Sequence, residues 1–153
     1  MDIIIRPAET SDFDSVVHIM NQVQALHVNW RPYIYKESKD FFSLNAFQDA
    51  LDKEAFYVAE SEHRIIGILE LTYRHIEFPS MLTRDVIYID TMAVDENYRG
   101  MGIGHHFFEM LKDLKKEKNF DGIELQVNAK NVAAYEMYKK CGFTEKSINM
   151  ELL

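Results

Sequence analysis

The sequence has a single cysteine, Cys141, and only three prolines among its 153 residues. One cysteine excludes an intrachain disulfide and the cysteine clusters of structural zinc sites. None of the six histidines stands in an H-E-x-x-H motif, so we predict that the protein binds no metal. No apolar run approaches the ~20 residues of a transmembrane helix. Because residues 1–5 also lack the basic stretch that opens a signal peptide, we expect a cytoplasmic protein with no membrane partner.

Positive charge is also scarce in this sequence. It holds 17 Lys and Arg against 25 Asp and Glu, which gives a net charge of −8. An acidic surface repels the phosphates of nucleic acid, so we predict no nucleic-acid partner and mildly favour a cationic substrate. The length is that of one domain, residues 1–153, and a hydrophobic content of 47% is typical of a globular protein.

Hydrophobic periodicity divides the chain into alternating helices and strands. Helical spacing predicts helices over residues 13–28, 43–52, 103–118 and 131–141. Strand patterns predict strands over residues 3–6, 55–60, 65–73, 86–94 and 123–128, and residues 143–153 are expected to close the sheet with one or two more. Residues 74–85, with Pro79 and several charges, are predicted to form a loop. This order indicates a single-domain α/β (α+β) fold, with a central mixed sheet flanked by about four helices.

Side-chain directions follow from the same periodicities. The two-residue strand period places one set of residues of the third predicted strand on a common face: Ile65, Gly67, Leu69, Leu71 and Tyr73. The helical period places another set on the buried side of the third predicted helix: Ile103, Phe107, Leu111 and Leu114.

The stretch Tyr98–Gly104 is the most distinctive part of the sequence, since it carries three glycines at alternate positions. It joins the apolar strand 86–94 to the start of the helix 103–118. Glycine permits positive φ and close approach of a ligand to the backbone, while a helix N-terminus offers free N–H groups and a positive dipole end. With Arg99 beside it, this stretch suits a phosphate or pyrophosphate. A dinucleotide fingerprint is excluded because position 105 is His, and a Walker loop is absent.

Two motifs resemble those of the GNAT N-acetyltransferase superfamily. The first, Arg99-x-x-Gly102-x-Gly104, resembles the Q/R-x-x-G-x-G/A pyrophosphate loop of that family. The second runs from Asn131 through Tyr138 to Gly142-Phe143 and resembles the family signature that follows the fifth strand. The two motifs lie some 30 residues apart with a predicted helix and strand between them, as in the family.

This resemblance implies transfer of the acetyl group of acetyl-CoA to a primary amine, by direct attack in a ternary complex. The alternative is a catalytically inactive CoA-binding regulatory or assembly protein. The resemblance also implies the residues that bind acetyl-CoA, with the pyrophosphate on the backbone N–H groups of residues 100–104 and Asn131 near the pantetheine arm. The expected cofactor-binding residues are Met92, Ala93, Val94, Arg99, Gly100, Met101, Gly102, Ile103, Gly104, Asn131 and Ala134.

The transfer requires a base and an acid. A protonated alkyl amine has a pKa near ~10, so a base must take its proton at neutral pH. Asp90, which interrupts an apolar strand, is the leading candidate for this base, and Glu70 in the neighbouring strand is the second. Tyr138 occupies the position of the family's tyrosine and is expected to protonate the departing thiolate.

The acceptor amine is expected to meet the segment between the first two predicted helices. His27, Arg31 and Tyr33 lie in this aromatic segment and are the candidate substrate-binding residues. Aromatic faces and acidic groups suit a cationic amine. A polyamine, an amino acid, an antibiotic, a lysine side chain and a protein N-terminus all remain open as acceptors, and a homodimer is possible in this superfamily.

Overall fold

A computed structural model describes all 153 residues and shows one mixed sheet between two layers of helices. Its strands are β1 (Ile4–Pro7), β2 (Phe56–Ser61), β3 (Arg64–Ile76), β4 (Arg84–Val94) and β5 (Gly122–Leu125). Its helices are α1 (Phe13–Trp30), α2 (Leu44–Asp52), α3 (Ile103–Glu117) and α4 (Val132–Lys140), with short 3-10 helices at Thr10–Asp12 and Glu96–Tyr98. The strand order is β1-β2-β3-β4-β5, in which only β4 and β5 are parallel. The mixed sheet with four helices confirms the predicted fold class.

Side-chain caps mark the starts of several helices, because the first N–H groups of a helix have no partner within it. The Ser43 hydroxyl accepts a hydrogen bond from the N–H of Ala46 at 3.0 Å and begins α2. Asn131 accepts from the N–H of Ala134 at 3.3 Å and begins α4. At the other end of α4, Gly142 has φ of 99°, the left-handed conformation that ends many helices. These caps set helix boundaries close to those predicted.

Two apolar cores lie on opposite faces of the sheet. One packs β3 and β4 against α3 and the inner side of α4, and the predicted inward set Ile103, Phe107, Leu111 and Leu114 is buried there. The other packs β2 and β3 against α1 and α2, through residues such as Val16, Phe47 and Ile68. We refer below to the α3 face and the α1 face of the sheet.

Two β-bulges change the side-chain pattern of β3 and β4. The β2–β3 register passes from Ala59 opposite Gly67 to Glu60 opposite Ile65, so β3 carries an extra residue there. As a result Ile65 packs on the α1 face, whereas Leu69, Leu71 and Tyr73 pack on the α3 face. The prediction that Ile65 shares their face is therefore wrong, because a bulge inverts the alternation beyond it.

The connection between β3 and β4 is shorter than predicted. β3 continues to Ile76 and β4 begins at Arg84, so much of the predicted loop 74–85 is strand. Cross-strand polar pairs stabilise this extension; His75 Nδ1 lies 2.7 Å from Asp85 Oδ1, and the two residues stand opposite each other in the register. The charged residues of the stretch 74–85 therefore did not indicate a loop, because many of them lie in strands.

The C-terminal segment differs most from the prediction. Residues 143–153 contain no strand, and β5 is the last strand of the sheet. β5 itself ends at Leu125 rather than at residue 128. Beyond Phe143, whose N–H donates to Tyr138 O, no residue of this segment joins a backbone–backbone hydrogen bond. The expected closing strands are therefore absent from the sheet of the single chain. None of the helices combines the length and apolarity needed to cross a membrane.

Candidate functional site

A wedge opens between β4 and β5. These strands pair in parallel from Val86 opposite Gly122 to Ile89 opposite Leu125, and β4 then continues to Val94 without a β5 partner. The side of β4 that faces the wedge over residues 90–94 is free to pair with a ligand. In mixed and parallel sheets, ligands bind beyond the carboxyl ends of strands where neighbouring chains diverge. The predicted strands 86–94 and 123–128 are therefore neighbours in one sheet, and they separate after Ile89.

The glycine loop lies directly after the wedge. Gly100 and Gly102 have φ of 77° and 81°, a region in which a side chain is strained. No backbone N–H of residues 100–105 donates to another group of the chain. A Cβ built on Gly100 or Gly102 meets no atom within 4 Å, so both glycines border open space. Free donors, the positive end of the α3 dipole and open space together fit a pyrophosphate.

A buried aspartate anchors the turn into this loop. Asp95 is 8% exposed, and its carboxylate accepts a hydrogen bond from the N–H of Asn97 at 2.9 Å. Gln22 of α1 reaches the same turn, because its Oε1 accepts from the N–H of Glu96 at 3.0 Å and its Nε2 donates to Asp95 at 3.4 Å. Helix α1 therefore positions the loop that follows β4. The sequence carries no signal for Gln22, since its partners lie more than 70 positions away.

Arg99 folds back towards β4 rather than extending away from the loop. Its Nε donates to Val94 O at 3.3 Å, and the side chain is exposed. The guanidinium thus stays beside the carboxyl end of β4, where it adds positive charge next to the free N–H groups.

Helix α4 is held close to the glycine loop. A Cβ on Gly104 would lie 2.9 Å from Met137 Sδ, so glycine at this position allows α3 and α4 to approach. Tyr138 follows Met137, and its ring packs against Phe108 and Phe143 with centroids 5.8 Å and 5.9 Å away. Burial raises the pKa of the Tyr138 hydroxyl. The hydroxyl therefore stays protonated at neutral pH, as a proton donor must.

The second bulge places two acidic candidates on one face. Glu70 stands opposite Thr91 and Leu71 stands opposite Ile89, so Asp90 is the extra residue of β4. Thr91 Oγ1 donates to Glu70 at 3.2 Å, and Thr72 Oγ1 donates to Asp90 at 2.5 Å. Ile68 on the same side of β3 belongs to the α1 core, so Glu70 and Asp90 both lie on the α1 face.

The two carboxylates differ in environment. Asp90 is exposed, whereas Glu70 is half-buried beside it. Burial raises the pKa of Glu70, and the negative charge of Asp90 raises it further. Two interacting acids with different environments are a common arrangement in sites that move protons.

The candidate acceptor residues cluster at the end of α1. The His27 ring stacks on Tyr35 at 4.7 Å, and Nδ1 of His27 is buried without a hydrogen-bond partner. Burial lowers the pKa of this imidazole, so it is neutral at neutral pH. Arg31 and Tyr33 both bond to Glu151 of the C-terminal segment. Lys130 Nζ donates to Trp30 O at 2.9 Å and so ties this cluster to the start of α4.

The candidate residues therefore fall on both sides of the wedge. Tyr138 lies on the α3 face, while Glu70 and Asp90 lie on the α1 face, and no hydrogen bond joins Tyr138 to either acid. A substrate that spans the wedge would meet both. No three His, Cys, Asp or Glu side chains are grouped so as to hold a metal ion.

Comparisons with known proteins identify the family of this chain. Residues 22–143 match the Acetyltransferase (GNAT) family. Streptothricin acetyltransferase of Escherichia coli is 29% identical over 112 residues, which cover 73% of this chain and 58% of that protein. An N-alpha-acetyltransferase of Sulfolobus acidocaldarius is 29% identical over 147 residues, which cover 92% of this chain and 79% of that protein.

Solved structures show the same fold. A mutant of the BH1408 protein from Bacillus halodurans is 30% identical, with a TM-score of 0.88 and 98% of each chain covered. AAC(6')-Iy, solved in complex with the bisubstrate analog CoA-S-monomethyl-acetylneamine, has a TM-score of 0.78 at 13% identity, with 100% of this chain and 98% of that chain covered. At that identity the second likeness concerns the fold alone.

Proposed function

Because this chain belongs to the Acetyltransferase (GNAT) family, we propose that it acetylates a primary amine by direct attack of that amine on acetyl-CoA within a ternary complex. Family membership makes it an acetyl-CoA-dependent N-acetyltransferase that acts on amines. The observation that carries the proposal is the glycine loop, whose free N–H groups lie at the open end of the β4–β5 wedge.

The residues present fit acetyl-CoA. The backbone N–H groups of residues 100–104 would hold its pyrophosphate, with Arg99 adding charge. Asn131, Ala134 and the β4 segment from Met92 to Val94 would line its pantetheine arm. When bound, acetyl-CoA supplies the acyl carbonyl carbon and a thiolate leaving group. Backbone N–H groups of β4 in the wedge would stabilise negative charge that develops on the carbonyl oxygen.

We assign the base to the pair formed by Glu70 and Asp90. An alkyl ammonium with a pKa near ~10 must lose a proton before its nitrogen attacks. Glu70 is half-buried with a raised pKa, and therefore holds a proton more readily than an exposed carboxylate does. These features favour Glu70 as the group that takes the proton, directly or through water, with Asp90 supporting its basicity.

Tyr138 would act at the other side of the wedge. Its hydroxyl, which is protonated at neutral pH like that of an ordinary tyrosine, would give its proton to the departing sulfur. The surrounding Phe108 and Phe143 rings hold the tyrosine ring in place.

A cationic amine fits the acceptor side best. Two carboxylates, Glu70 and Asp90, lie on the α1 face, and the aromatic cluster at the end of α1 carries His27, Arg31 and Tyr33. The names of the relatives include a streptothricin acetyltransferase and N-alpha-acetyltransferases. We propose that the acceptor is either a small cationic amine or the N-terminal amine of a peptide.

The deciding experiment measures release of CoA thiol from acetyl-CoA with a panel of amines. The panel should contain streptothricin, aminoglycosides, polyamines, free amino acids and peptides with free N-termini. We expect thiol release well above the amine-free rate with at least one class. If CoA binds in calorimetry and no amine accelerates thiol release, the inactive CoA-binding alternative replaces our proposal. No feature of the site favours the inactive alternative. The cytoplasmic location of the protein stays a prediction.

A further inference from the structure

Gln22 connects helix α1 to the turn that leads from β4 into the glycine loop. A glutamine amide has one acceptor oxygen and two donor hydrogens, and here both kinds of group find a partner. Its Oε1 accepts from the N–H of Glu96 at 3.0 Å, and its Nε2 donates to Asp95 Oδ2 at 3.4 Å. The reverse orientation of the amide would set its oxygen against the Asp95 carboxylate. The two partners therefore select a single orientation of the Gln22 side chain.

Asp95 depends on this amide, because its carboxylate lies in a residue that is only 8% exposed. Its Oδ1 accepts from the N–H of Asn97 at 2.9 Å, whereas Oδ2 faces Gln22. Nε2 of His18, on an exposed ring one turn earlier in α1, lies 3.6 Å from the same oxygen. A buried carboxylate oxygen that loses its hydrogen-bond donor is destabilised. Gln22 therefore stabilises the conformation of Asp95 that forms the turn.

The glycine loop has few contacts of its own to hold it in place. Gly100 and Gly102 have positive φ, and no backbone N–H of residues 100–105 donates to another group of the chain. The Arg99 side chain donates to Val94 O at 3.3 Å, but it is exposed. Glycine-rich backbone loses much conformational entropy when a ligand holds it in one geometry. A fixed turn at the start of the loop reduces that loss and so favours binding.

We propose that Gln22 is a positioning residue for the cofactor, which aligns the turn at residues 95–98 so that the free N–H groups of the glycine loop meet the pyrophosphate of acetyl-CoA. This inference rests on the proposed function, since it takes residues 100–104 as the site of the pyrophosphate. Gln22 acts through Asp95 and the N–H of Glu96, and its effect should therefore appear in the affinity for CoA.

The same helix holds the segment between α1 and α2 through other residues. Gln24 Nε2 donates to Lys36 O at 2.8 Å, and Asn21 forms two hydrogen bonds with Asp40, at 2.9 Å and 3.0 Å. Gln22 and Gln24 are both half-buried glutamines of α1, yet their amides reach different parts of the chain. Helix α1 thus aligns the glycine loop and the proposed acceptor side by separate contacts, and Gln24 is the matched control for Gln22.

The experiment measures CoA binding by calorimetry in the wild type and in variants of the two glutamines. Gln22→Glu keeps an oxygen for the N–H of Glu96 but sets a carboxylate against Asp95, and Gln22→Leu removes both hydrogen bonds. Each change is expected to weaken CoA binding by about tenfold. Gln24→Glu makes the same chemical change two positions along α1, and it is expected to bind CoA as the wild type does.

Amide NMR spectra separate an effect on the glycine loop from a general loss of structure. In both Gln22 variants the resonances of Gly100 and Gly102 should shift, whereas that of Gly142, at the end of α4, should stay in place. Gln22→Leu should also accelerate hydrogen exchange of the Glu96 amide, because Gln22 Oε1 is the acceptor of that N–H. A role confined to overall stability would not single out the loop and its turn in this way.

The wild type and the control decide between the proposed function and this inference. If the wild type binds CoA and both Gln22 variants bind it equally well, the role of Gln22 is overturned while the CoA site is retained. If the wild type binds no CoA, the proposed function fails and the role of Gln22 with it. Equal losses of affinity in Gln24→Glu and Gln22→Glu, or a shift of Gly142 as large as that of Gly102, would show a general effect of α1 on the fold and would also contradict us.

Discussion

Glu70 and Asp90 show how one residue sets the ionisation of its neighbour. They lie on the same face of adjacent strands, and the extra residue in β4 brings Asp90 to that face. Burial first, and then the charge of Asp90, raise the pKa of Glu70 above its ordinary 4.5. A base works only when it is deprotonated, so the turnover number should fall as pH drops through the raised pKa of Glu70.

Asp90→Asn should move this acid limb to lower pH, because it removes the negative charge that raises the pKa of Glu70. The measurement is the pH profile of kcat with a saturating amine. Glu70→Gln should remove the limb. Asp85→Asn is the matched control, since Asp85 is another β4 carboxylate that does not contact Glu70, and it should leave the limb in place. Loss of activity in Asp90→Asn that returns at high pH would instead identify Asp90 as the base.

Tyr138→Phe should lower the turnover number by about 10²–10⁴-fold, the range expected for a positioned general acid or base. CoA affinity should remain nearly intact, because the ring and its packing against Phe108 are retained. High pH should not restore activity, since the defect concerns the leaving group. Tyr135→Phe serves as the control; Tyr135 lies one turn earlier, is exposed and bonds Glu145. Equal losses in the two variants would exclude Tyr138 as the specific donor.

At the scale of elements, the site depends on how β4 ends and α3 begins. β4 loses its β5 partner after Ile89, and the chain then turns at Asp95 into the glycine loop. The first turn of α3 has no side-chain cap, which leaves its N–H groups available to a ligand. The strand thus leads the chain directly into a helix N-terminus whose backbone N–H groups are free.

Gly102→Val should weaken CoA binding by about tenfold or more, because a β-branched side chain strains the φ of 81° and projects into the open space of the loop. Calorimetry with CoA measures this directly. Gly142→Val is the matched control, because its φ of 99° brings a similar strain at the end of α4, outside the glycine loop. The control should lose thermal stability and keep its CoA affinity. Unchanged CoA binding in Gly102→Val would show that the pyrophosphate does not rest on this loop.

At the scale of the whole molecule, a charged cluster links the N-terminal strand to the start of α1. Arg6 donates to both carboxylate oxygens of Asp12, at 2.8 Å and 3.0 Å, and Asp12 is 6% exposed. Burial acts to raise the pKa of Asp12, but the hydrogen bonds from Arg6 and from the N–H of Glu9 outweigh it and lower the pKa. A lowered pKa means that folding is stabilised by the charged form of this carboxylate.

Asp12→Asn should therefore lower the free energy of unfolding by about 2 kcal/mol at neutral pH, since it removes a charge-assisted pair from a buried position. The stabilisation is present above the unfolded pKa of about 3.9 and is lost as pH falls through the lower folded pKa. Urea titrations at pH 7 and at low pH measure both values. The exposed pair of Asp49 in α2 and Lys53 just after it offers a control, because Asp49→Asn should cost far less. A difference from wild type that grows as pH falls would contradict this account.

Local patterns in the sequence determined the helices, the glycine loop and the family of this protein. The apolar period of α3, the cap at Asn131 and the glycines of the loop act over a few residues, so a single sequence displays them. The same local motifs identified the family, and the match over residues 22–143 confirms it. The position of the glycine loop directly after the strand 86–94 followed from the order of the segments along the chain.

Only the tertiary structure decided the features that depend on neighbouring strands. A bulge in β3 places Ile65 on the α1 face, and a bulge in β4 places Asp90 on the same face as Glu70. Both bulges depend on the register with a neighbouring strand. Gln22 reaches the loop from a distant helix, and no local pattern encodes such a contact. Residues 144–153 have the apolar alternation of a strand, yet their backbone finds no partner within the chain. Alternation shows that a segment favours pairing, whereas the position of a free edge determines whether pairing occurs.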